Sequence, residues 1–484
     1  ITAGEAGQLI ESYGFLRQLI NGLRMLRGSA KDLFLPPLDS DEFAHLARRM
    51  GYCRQQSLMP AQQLRMDFNI CTAAVRAFVE RHFGRDSLPG PAIANVADLI
   101  LSKEVPRETA REILHNEGFR NPQRAYTNLT RLAGDEDLQP VFARLAVLAC
   151  DMLRDRPDPD MALNNWERFI DSAGDPRQHY ETLLSQPTRL DILLTIFAAS
   201  QFLSDTLVRN PEFFYWLTVP ENLHHIRTSC EVEEELNGIS AASPDYEDWL
   251  RELRRFRRRD ILRIGTRDIC LRVSAEDITR ELSFLAEGVT RVALRRVWQE
   301  LAIVHGLQEE GRAPSQQFCI LAFGKLGGEE LNYSSDIDLV GLYGNPGAAA
   351  DGRTEVSFDE TLFREAMERL RAALSAHNDE GYVYRVDLRL RPYGRAGRLV
   401  HSITRLADYY ENAASLWEIQ ALLKMRAIAG NCELGRDFLD RVHSLFLQKR
   451  RKEDICASIH NMREQAVALS KHSWKKGTGD DIKT

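Results

Sequence analysis

One segment constrains the fold of this chain more than any other, because it combines glycines, a serine pair and two carboxylates between apolar runs. It extends from Phe323 to Leu339 and reads FGKLGGEELNYSSDIDL. The apolar runs at 318–323 and 339–342 are short, and short apolar runs bounded by glycine are typical of buried strands. The segment therefore predicts two strands of a small sheet, with a polar turn at the edge that suits nucleotide phosphates and a divalent metal.

The two carboxylates of this segment, Asp336 and Asp338, are two residues apart. Residues i and i+2 of a strand point to the same face, so both carboxylates should project together while Ile337 points into the core. Neighbouring carboxylates repel each other unless a cation lies between them. Since carboxylate oxygens suit Mg²⁺ or Mn²⁺, we expect a metal site here.

A third strand is expected over 381–390, where apolar and charged residues alternate. Asp387, Arg389 and Arg391 fall on one face of this strand, because they are spaced by two. Asp387 can complete a trio of metal-binding carboxylates, and such sites activate an attacking oxygen and stabilise a leaving one. The two arginines can bind phosphate oxygens through their forked donors.

A glycine turn follows the first strand, at Gly324-Lys325-Leu-Gly-Gly328. Glycines let backbone N–H groups approach a phosphate, but the spacing of a Walker loop is absent. By itself the turn fits an ordinary tight turn equally well. Its combination with Ser-Ser-Asp-x-Asp and a later Asp, in that order, indicates a nucleotide-binding site.

The rest of the chain is predicted to be helical, apart from a fourth strand over 398–403. A breaker-rich stretch at 84–91 marks a domain boundary. The predicted fold is mainly α with one α+β domain, a small mixed sheet packed on helices, flanked by helical bundles. The predicted segments are a helical bundle at 1–88, a helical region at 89–300, the α+β catalytic domain at 301–430, and the start of a helical region at 431–484. Within the last two segments, residues 406–475 are predicted to be helical.

Composition excludes several classes of protein. Hydrophobic residues make up 44% and charged residues 27% of the 484, with a formal net charge of −7. No basic excess indicates a nucleic-acid partner, and we find no apolar run long enough to span a membrane. The eight cysteines form no C-x-x-C pair, which favours free thiols and a cytoplasmic location. The first residue, Ile1, indicates part of a longer protein.

Three motifs resemble a known family. The order Ser-Ser, Asp-x-Asp and a later Asp resembles the nucleotidyltransferase superfamily. In detail, the segment from Gly324 to Leu339, the run YRVDLRLRPYG at 384–394 and the run WEIQALLKMR at 417–426 resemble the glutamine synthetase adenylyltransferase/adenylyl-removing enzymes. The helices at 92–300 look like the region that precedes a catalytic domain of this family. Those at 1–88 look like the tail that follows one.

The resemblance implies roles for individual residues. The metal-binding catalytic acids would be Asp336, Asp338 and Asp387. The residues at the nucleotide phosphates would be Gly324, Lys325 and Ser335, with Arg389 and Arg391 as anion contacts. The cofactor implied is Mg²⁺, or alternatively Mn²⁺, with ATP or phosphate as the second substrate.

The resemblance also implies an activity and partners. Members of the family attach AMP from ATP to a tyrosine of glutamine synthetase, or remove it by phosphorolysis and release ADP. PII-type signal proteins and glutamine control the balance. The full-length enzymes have one half that attaches AMP and one that removes it. The position of the catalytic segment after a helical tail favours the attaching half, whereas the amino-acid sequences of its motifs favour the removing half, so the direction stays open.

Two alternatives to this activity stay open as well. The first is another nucleotidyltransferase, such as a PII uridylyltransferase or a small-molecule adenylyltransferase. The second is a helical signalling scaffold that binds nucleotide without turnover, against which the three intact carboxylates argue.

Overall fold

The computed structural model describes most of the chain: residues 3–28, 34–54, 58–83, 95–103, 105–307, 313–344, 360–377 and 381–448, with 456, 457, 460, 461 and 464. The chain folds into two compact units. The first comprises 1–224 and 265–272, and the second comprises 225–264 and 273–484. Within the described residues, no helix is both long enough and apolar enough to cross a membrane.

The first unit is helical. Its helices are α1 Ala3–Arg27, α2 Asp41–Arg49, α3 Pro60–Phe83, α4 Val96–Leu101, α5 Arg107–Asn116, α6 Pro122–Ala133, α7 Gln139–Leu153, α8 Pro159–Ala173, α9 Pro176–Ser185, α10 Pro187–Ala199, α11 Gln201–Arg209, α12 Glu212–Leu217 and α13 Pro220–His224. Several begin with proline after a capping residue: the side chain of Asp158, for example, accepts a hydrogen bond from the backbone N–H of Met161. Proline fits the first helical turn because a backbone N–H at this position would have no intrahelical partner, so its absence costs no hydrogen bond.

The N-terminal helices agree with the sequence pattern. Helix α1 ends at Arg27, directly before Gly28, and both α1 and α3 lie within the helical bundle predicted at 1–88. Leu19 and Leu23, which belong to the apolar stripe of α1, are buried against Phe43 of α2. The predicted boundary at 84–91 lies outside the described residues.

The second unit contains the sheet. Its elements are α14 Ser229–Ala242, α15 Tyr246–Leu271, α16 Ala275–His305, β1 Phe318–Phe323, α17 Gly324–Gly327, β2 Ile337–Tyr343, α18 Glu360–Ser375, β3 Val386–Asp387, β4 Val400–Ser402, α19 Ile403–Asn412, α20 Leu416–Leu422, β5 Arg426–Gly430 and α21 Cys432–Gln448. The last residues of α15 belong to the first unit. The expected fold class, mainly α with one α+β domain built on a small mixed sheet, is confirmed.

The sheet is mixed and buried on both faces. Its order is β3-β2-β1-β5, with β4 also paired to β2, and β1 runs antiparallel to both of its neighbours. Strands β3 and β4 run parallel to β2. Alternate residues of β1 enter two different cores: Phe318, Ile320 and Ala322 face the core that also holds residues of α14, α15, α16 and α18, whereas Cys319, Leu321 and Phe323 pack with those of α19, α20 and α21. Burial on both faces explains why β1 is a continuous apolar run.

The predicted third strand was too long. We expected 381–390, but β3 comprises only Val386 and Asp387. The backbone N–H groups of Val383 and Tyr384 both donate to the carbonyl of Leu374 at the end of α18, at 3.0 and 2.9 Å, instead of extending the ladder with β2. The chain therefore docks on a helix end before it reaches the sheet, and it turns away after Asp387.

The C-terminal prediction needs a second correction. Helix was expected from 406 to 475, but residues 426–430 form β5, which pairs with the free edge of β1. The predicted fourth strand is present as the shorter β4.

Most of α16 precedes residue 301, where the predicted catalytic domain begins, and this helix packs against the sheet. Leu285 and Val289 of α16 pack in the same core as Phe318 of β1. The helices that precede the sheet in sequence therefore help to cover it.

Candidate active site

The site forms where β2 and β3 lie side by side. Asp338 of β2 is register-paired with Asp387 of β3, and Ile337 with Val386. Paired residues of neighbouring strands project to the same face of a sheet, so the two carboxylates lie together. Ile337 is fully buried, as the alternation predicted. Asp336 precedes Asp338 by two residues, at the entrance of the strand.

The glycine turn lies against Asp338. Gly324 has a left-handed φ of 56°, and a Cβ at this position would lie 2.5 Å from Oδ2 of Asp338. The turn is closed by hydrogen bonds from the N–H of Gly328 to the carbonyl of Gly324, at 3.1 Å, and from the N–H of Glu330 to the carbonyl of Lys325, at 2.8 Å. Only glycine allows the backbone to approach a carboxylate this closely in this conformation.

The three carboxylates lie close enough to repel one another electrostatically. The pKa of Asp338 is raised to about 6, first by burial and then by the negative charges of Asp387 and Asp336. The positive charges of Arg389 and Lys325 oppose this rise in pKa. A half-buried carboxylate with two like charges beside it favours a bound cation.

Two of the three carboxylates are paired with arginines. Arg385 Nε donates to Asp336 Oδ1 at 2.5 Å, and Arg389 Nη2 donates to Asp387 Oδ2 at 2.5 Å. The hydrogen bonds from Arg389 hold the pKa of Asp387 below its usual value. Within the part of the chain that the structure describes, no group of three His, Cys, Asp or Glu side chains is arranged to hold a metal ion. The donor chemistry suits a hard divalent cation, but the two ion pairs must loosen for all three carboxylates to share it.

The serine pair shapes the entrance to β2. Ser334 has a left-handed φ of 57°, and its carbonyl accepts a hydrogen bond from Arg385 Nη2 at 2.8 Å. The N–H of Ser335 donates to the carbonyl of Asn332 at 3.2 Å, and its side chain is partly exposed. Lys325 is exposed at the turn. The positions of Ser335 and Lys325 beside Asp336 and Asp338 are compatible with phosphate contacts, which stay a prediction.

The two predicted anion-binding arginines differ. Arg389 has an exposed side chain beside Asp387. Arg391 is buried, and it donates to the carbonyls of Leu388 at 2.6 Å, Gly397 at 3.2 Å and Arg395 at 3.2 Å. Because three of its donor groups bind backbone, the geometry favours a structural role for Arg391 in this loop. The predicted phosphate contact fits Arg389 better.

Several residues that support the site could not be given a role from the sequence. Arg385 holds Asp336, Lys424 pairs with Glu330 directly after the turn, and Arg426 donates to carbonyls of the turn itself. Two of these, Lys424 and Arg426, belong to the run at 417–426 that was recognised as a motif. That membership was the available signal, but no spacing in the sequence joins this run to the glycine turn.

Comparison with known sequences agrees with this geometry. The sequence model of the glutamate-ammonia ligase adenylyltransferase family matches residues 190–441, which include the complete sheet and the three carboxylates. The chain belongs to this family. The sequence model of a second family, the PII-uridylyltransferases, matches residues 1–83.

Three curated relatives carry the same name, bifunctional glutamine synthetase adenylyltransferase/adenylyl-removing enzyme. The protein of Hahella chejuensis is 33% identical over 66% of this chain and 32% of its own length. Those of Xanthobacter autotrophicus and Bradyrhizobium diazoefficiens are each 28% identical, over 98% and 97% of this chain and 46% of their own lengths. The chain thus spans from about a third to just under half of the length of these relatives.

Proposed function

We propose that the second unit is a nucleotidyltransferase that transfers adenylyl groups to or from a tyrosine of glutamine synthetase. The observation that carries this proposal is the register pairing of Asp338 with Asp387 under a glycine turn whose backbone touches Asp338. Family membership and the names of the relatives support the choice of substrate.

The residues divide the work. Asp336, Asp338 and Asp387 would hold a divalent cation, Mg²⁺ or Mn²⁺, which neutralises charge on the phosphates when bound. The turn at Gly324 and Lys325 lies within reach of the same carboxylates and binds the phosphates, as does the exposed Arg389 once it leaves Asp387. The other predicted phosphate contact is Ser335, at the entrance of β2. Catalysis then rests mainly on positioning and charge neutralisation.

Two directions use the same atoms. In the attaching direction, a tyrosine hydroxyl attacks the α-phosphorus of ATP, loses its proton, and pyrophosphate leaves. In the removing direction, inorganic phosphate attacks the same phosphorus in the tyrosyl-AMP ester, and the tyrosine leaves while ADP forms. The bifunctional names of the relatives cover both directions. We further propose that PII-type signal proteins and glutamine regulate the reaction.

A second candidate is a PII uridylyltransferase, which the match of residues 1–83 favours. The chemistry of the carboxylates would be the same, but UTP would replace ATP and a PII-type protein would replace the synthetase. The choice of nucleotide separates the two candidates.

The test is transfer of label from α-labelled ATP to purified glutamine synthetase with Mg²⁺, in parallel with α-labelled UTP and a PII-type protein. Asp336→Asn is the blank, and Asp437→Asn, which changes an exposed carboxylate of α21, is the matched control. Label on the synthetase that disappears only in Asp336→Asn supports the attaching reaction. Adenylylated synthetase incubated with phosphate tests the removing reaction by the release of ADP.

Two results of these assays would contradict the proposed function. Transfer of UMP to the PII-type protein with no reaction of the synthetase in either direction would replace the first candidate by the second. Nucleotide binding without transfer in any of the three assays would contradict both candidates and favour a nucleotide-binding scaffold.

A further inference from the structure

A buried carboxylate of α16 lies between two guanidinium groups. The side chain of Glu287 is 4% exposed, and it accepts hydrogen bonds from Arg291 on one oxygen and, at 2.6 Å, from Arg426 Nη1 on the other. A buried carboxylate is costly unless it is paired and hydrogen-bonded. Both arginines are therefore strongly oriented by Glu287, although one of them lies 139 residues away in the sequence.

The two arginines direct their remaining donors to different places. Arg426 donates from Nε to the carbonyl of Gly327 at 3.3 Å and from Nη2 to the carbonyl of Leu326 at 3.4 Å. Arg291 instead donates from Nε to the carbonyl of Ile428, in the middle of β5, at 2.8 Å. One guanidinium thus holds the glycine turn, and the other holds a strand.

The turn is pressed against the segment that leads into β5. A Cβ on Gly327 would lie 1.9 Å from the carbonyl oxygen of Lys424, so the two backbones are in close contact. The next segment of chain is anchored to α16 too, because the N–H of Leu331 donates to Ser283 Oγ at 3.0 Å. The opposite end of the turn, at Gly324, touches Asp338. Any shift of the turn on its Arg426 side therefore moves the backbone beside the carboxylates.

We infer that Arg426, oriented by Glu287, is a positioning residue for the turn that binds the nucleotide phosphates. It acts through the carbonyls of Leu326 and Gly327 and does not touch the nucleotide itself. The inference rests on the proposed function in one respect only, the assignment of this turn to phosphate.

The test compares Arg426→Lys with Arg291→Lys in the full chain. The two arginines share Glu287 and are similarly buried, with side chains 29% and 22% exposed. Lysine keeps the charge but offers one compact ammonium instead of a planar fork, so it cannot serve Glu287 and two carbonyls together. Arg291→Lys is the matched control, because it weakens the same ion-pair network without touching the turn.

The first readout is hydrogen exchange of the amides of Gly328, Glu329 and Glu330, which close the turn. We expect exchange about tenfold faster in Arg426→Lys and within about twofold of wild type in Arg291→Lys, since only the former loses charge-assisted bonds to the turn. The second readout is the dissociation constant for Mg·ATP, which we expect to rise about tenfold in Arg426→Lys alone. Glu287→Gln, which keeps an acceptor for Arg426 but loses the charge, should give an intermediate result, and it replaces Arg426→Lys if that variant does not fold.

The outcomes separate the inference from the function. Equal exchange and equal affinity in the two lysine variants would overturn the positioning role of Arg426, even if wild type binds ATP. A different result is faster exchange in Arg426→Lys while the wild-type protein binds neither ATP nor UTP. This result would support the role of Arg426 in positioning the turn, but it would overturn the assignment of the turn to phosphate and with it the proposed function.

Discussion

At the scale of single residues, the site depends on placing negative charge where it is unfavourable. Asp338 is partly buried next to two other carboxylates, and its pKa is raised to about 6 from an ordinary 3.8. The free energy of unfolding should therefore depend on pH in a definite direction. The folded state holds a proton that the unfolded state has already lost between about pH 4 and pH 6, so stability falls as the pH rises through this window.

Replacing Asp338 by asparagine should remove that dependence. With a metal chelator present, the free energy of unfolding of Asp338→Asn minus that of wild type should be about 1–2 kcal/mol larger at pH 7 than at pH 3.5, after allowance for solvent screening. Urea denaturation at a series of pH values measures this difference. Asp437→Asn, at an exposed position, is the control and should show no such trend. A constant difference between Asp338→Asn and wild type across the range would contradict the raised pKa.

Gly324 supports a second prediction at this scale. Its left-handed φ and its approach to Asp338 leave no room for a side chain. Gly324→Ala should destabilise the protein by about 1–3 kcal/mol, because the new methyl group is strained and displaces the carboxylate. Gly328→Ala is the control: its φ is −84°, and the nearest atoms are flexible side-chain atoms at 3.2 Å or more.

Thermal unfolding measures the stability of the two alanine variants, and adenylyl transfer measures their activity. We expect transfer by Gly324→Ala to fall by at least about tenfold, since small displacements of reacting groups have large effects on rate. Similar stability and similar activity in the two alanine variants would show that the turn does not need its left-handed residue.

At the scale of elements, the sequence was most informative where local pattern and tertiary packing agree. Strands β1 and β2 were predicted because a run such as 318–323 is apolar throughout, as burial on both faces requires. In α18, Phe363 and Leu370 are seven residues apart, which places them on one face of a helix, and both are buried. For Asp336 and Asp338, the alternation of a strand was enough to predict a shared face.

Prediction from the sequence failed where contacts with residues far away in the chain determine the local structure. Residues 426–430 read Arg-Ala-Ile-Ala-Gly, whose arginine and alanines favour helix, yet they pair with the free edge of β1. The alternation over 381–390 predicted a long strand with a row of charge facing a ligand, but the docking of this segment on α18 shortens it. Its arginines are therefore engaged: Arg385 and Arg389 pair with carboxylates, and Arg391 binds backbone. None of these partners can be inferred from spacing.

The burial of β5 can be tested through its large buried side chain, Ile428. Ile428 is fully buried between β1 and α16, so Ile428→Ala should cost about 2–4 kcal/mol of stability by leaving a cavity. Leu423→Ala removes a similar branched side chain from a nearby position that is 65% exposed, and it should cost less than about 0.5 kcal/mol. Chemical denaturation distinguishes the two. Equal costs would indicate that this stretch lies on the surface, as the predicted helix would allow.

At the scale of the whole molecule, the chain folds into two compact units, and the residues of the candidate site belong to the second. The first unit contains packed aromatic side chains such as Phe142 and Tyr180, whose rings lie 5.1 Å apart, and it contains none of the residues that we propose to bind nucleotide. In the second, Asp338 and Asp387 come from different strands, and the turn that covers them is held by α16 and by the approach to β5. Because these parts are far apart in sequence, the site forms only when β2, β3, the turn, α16 and the start of β5 are folded together.

This division predicts how a nucleotide stabilises the chain. A ligand that binds only the native state adds about 2.7 kcal/mol at a concentration one hundred times its dissociation constant. We expect Mg·ATP to slow hydrogen exchange in β1, β2 and β5 accordingly, because opening of these strands dismantles the site. Exchange in α7 and α8, which belong to the core of the first unit, should stay unchanged. Asp338→Asn, with its ligand set incomplete, should show no slowing at the same concentration. Equal protection of both units would mean that they unfold together, and equal protection in the variant would mean that the nucleotide binds elsewhere.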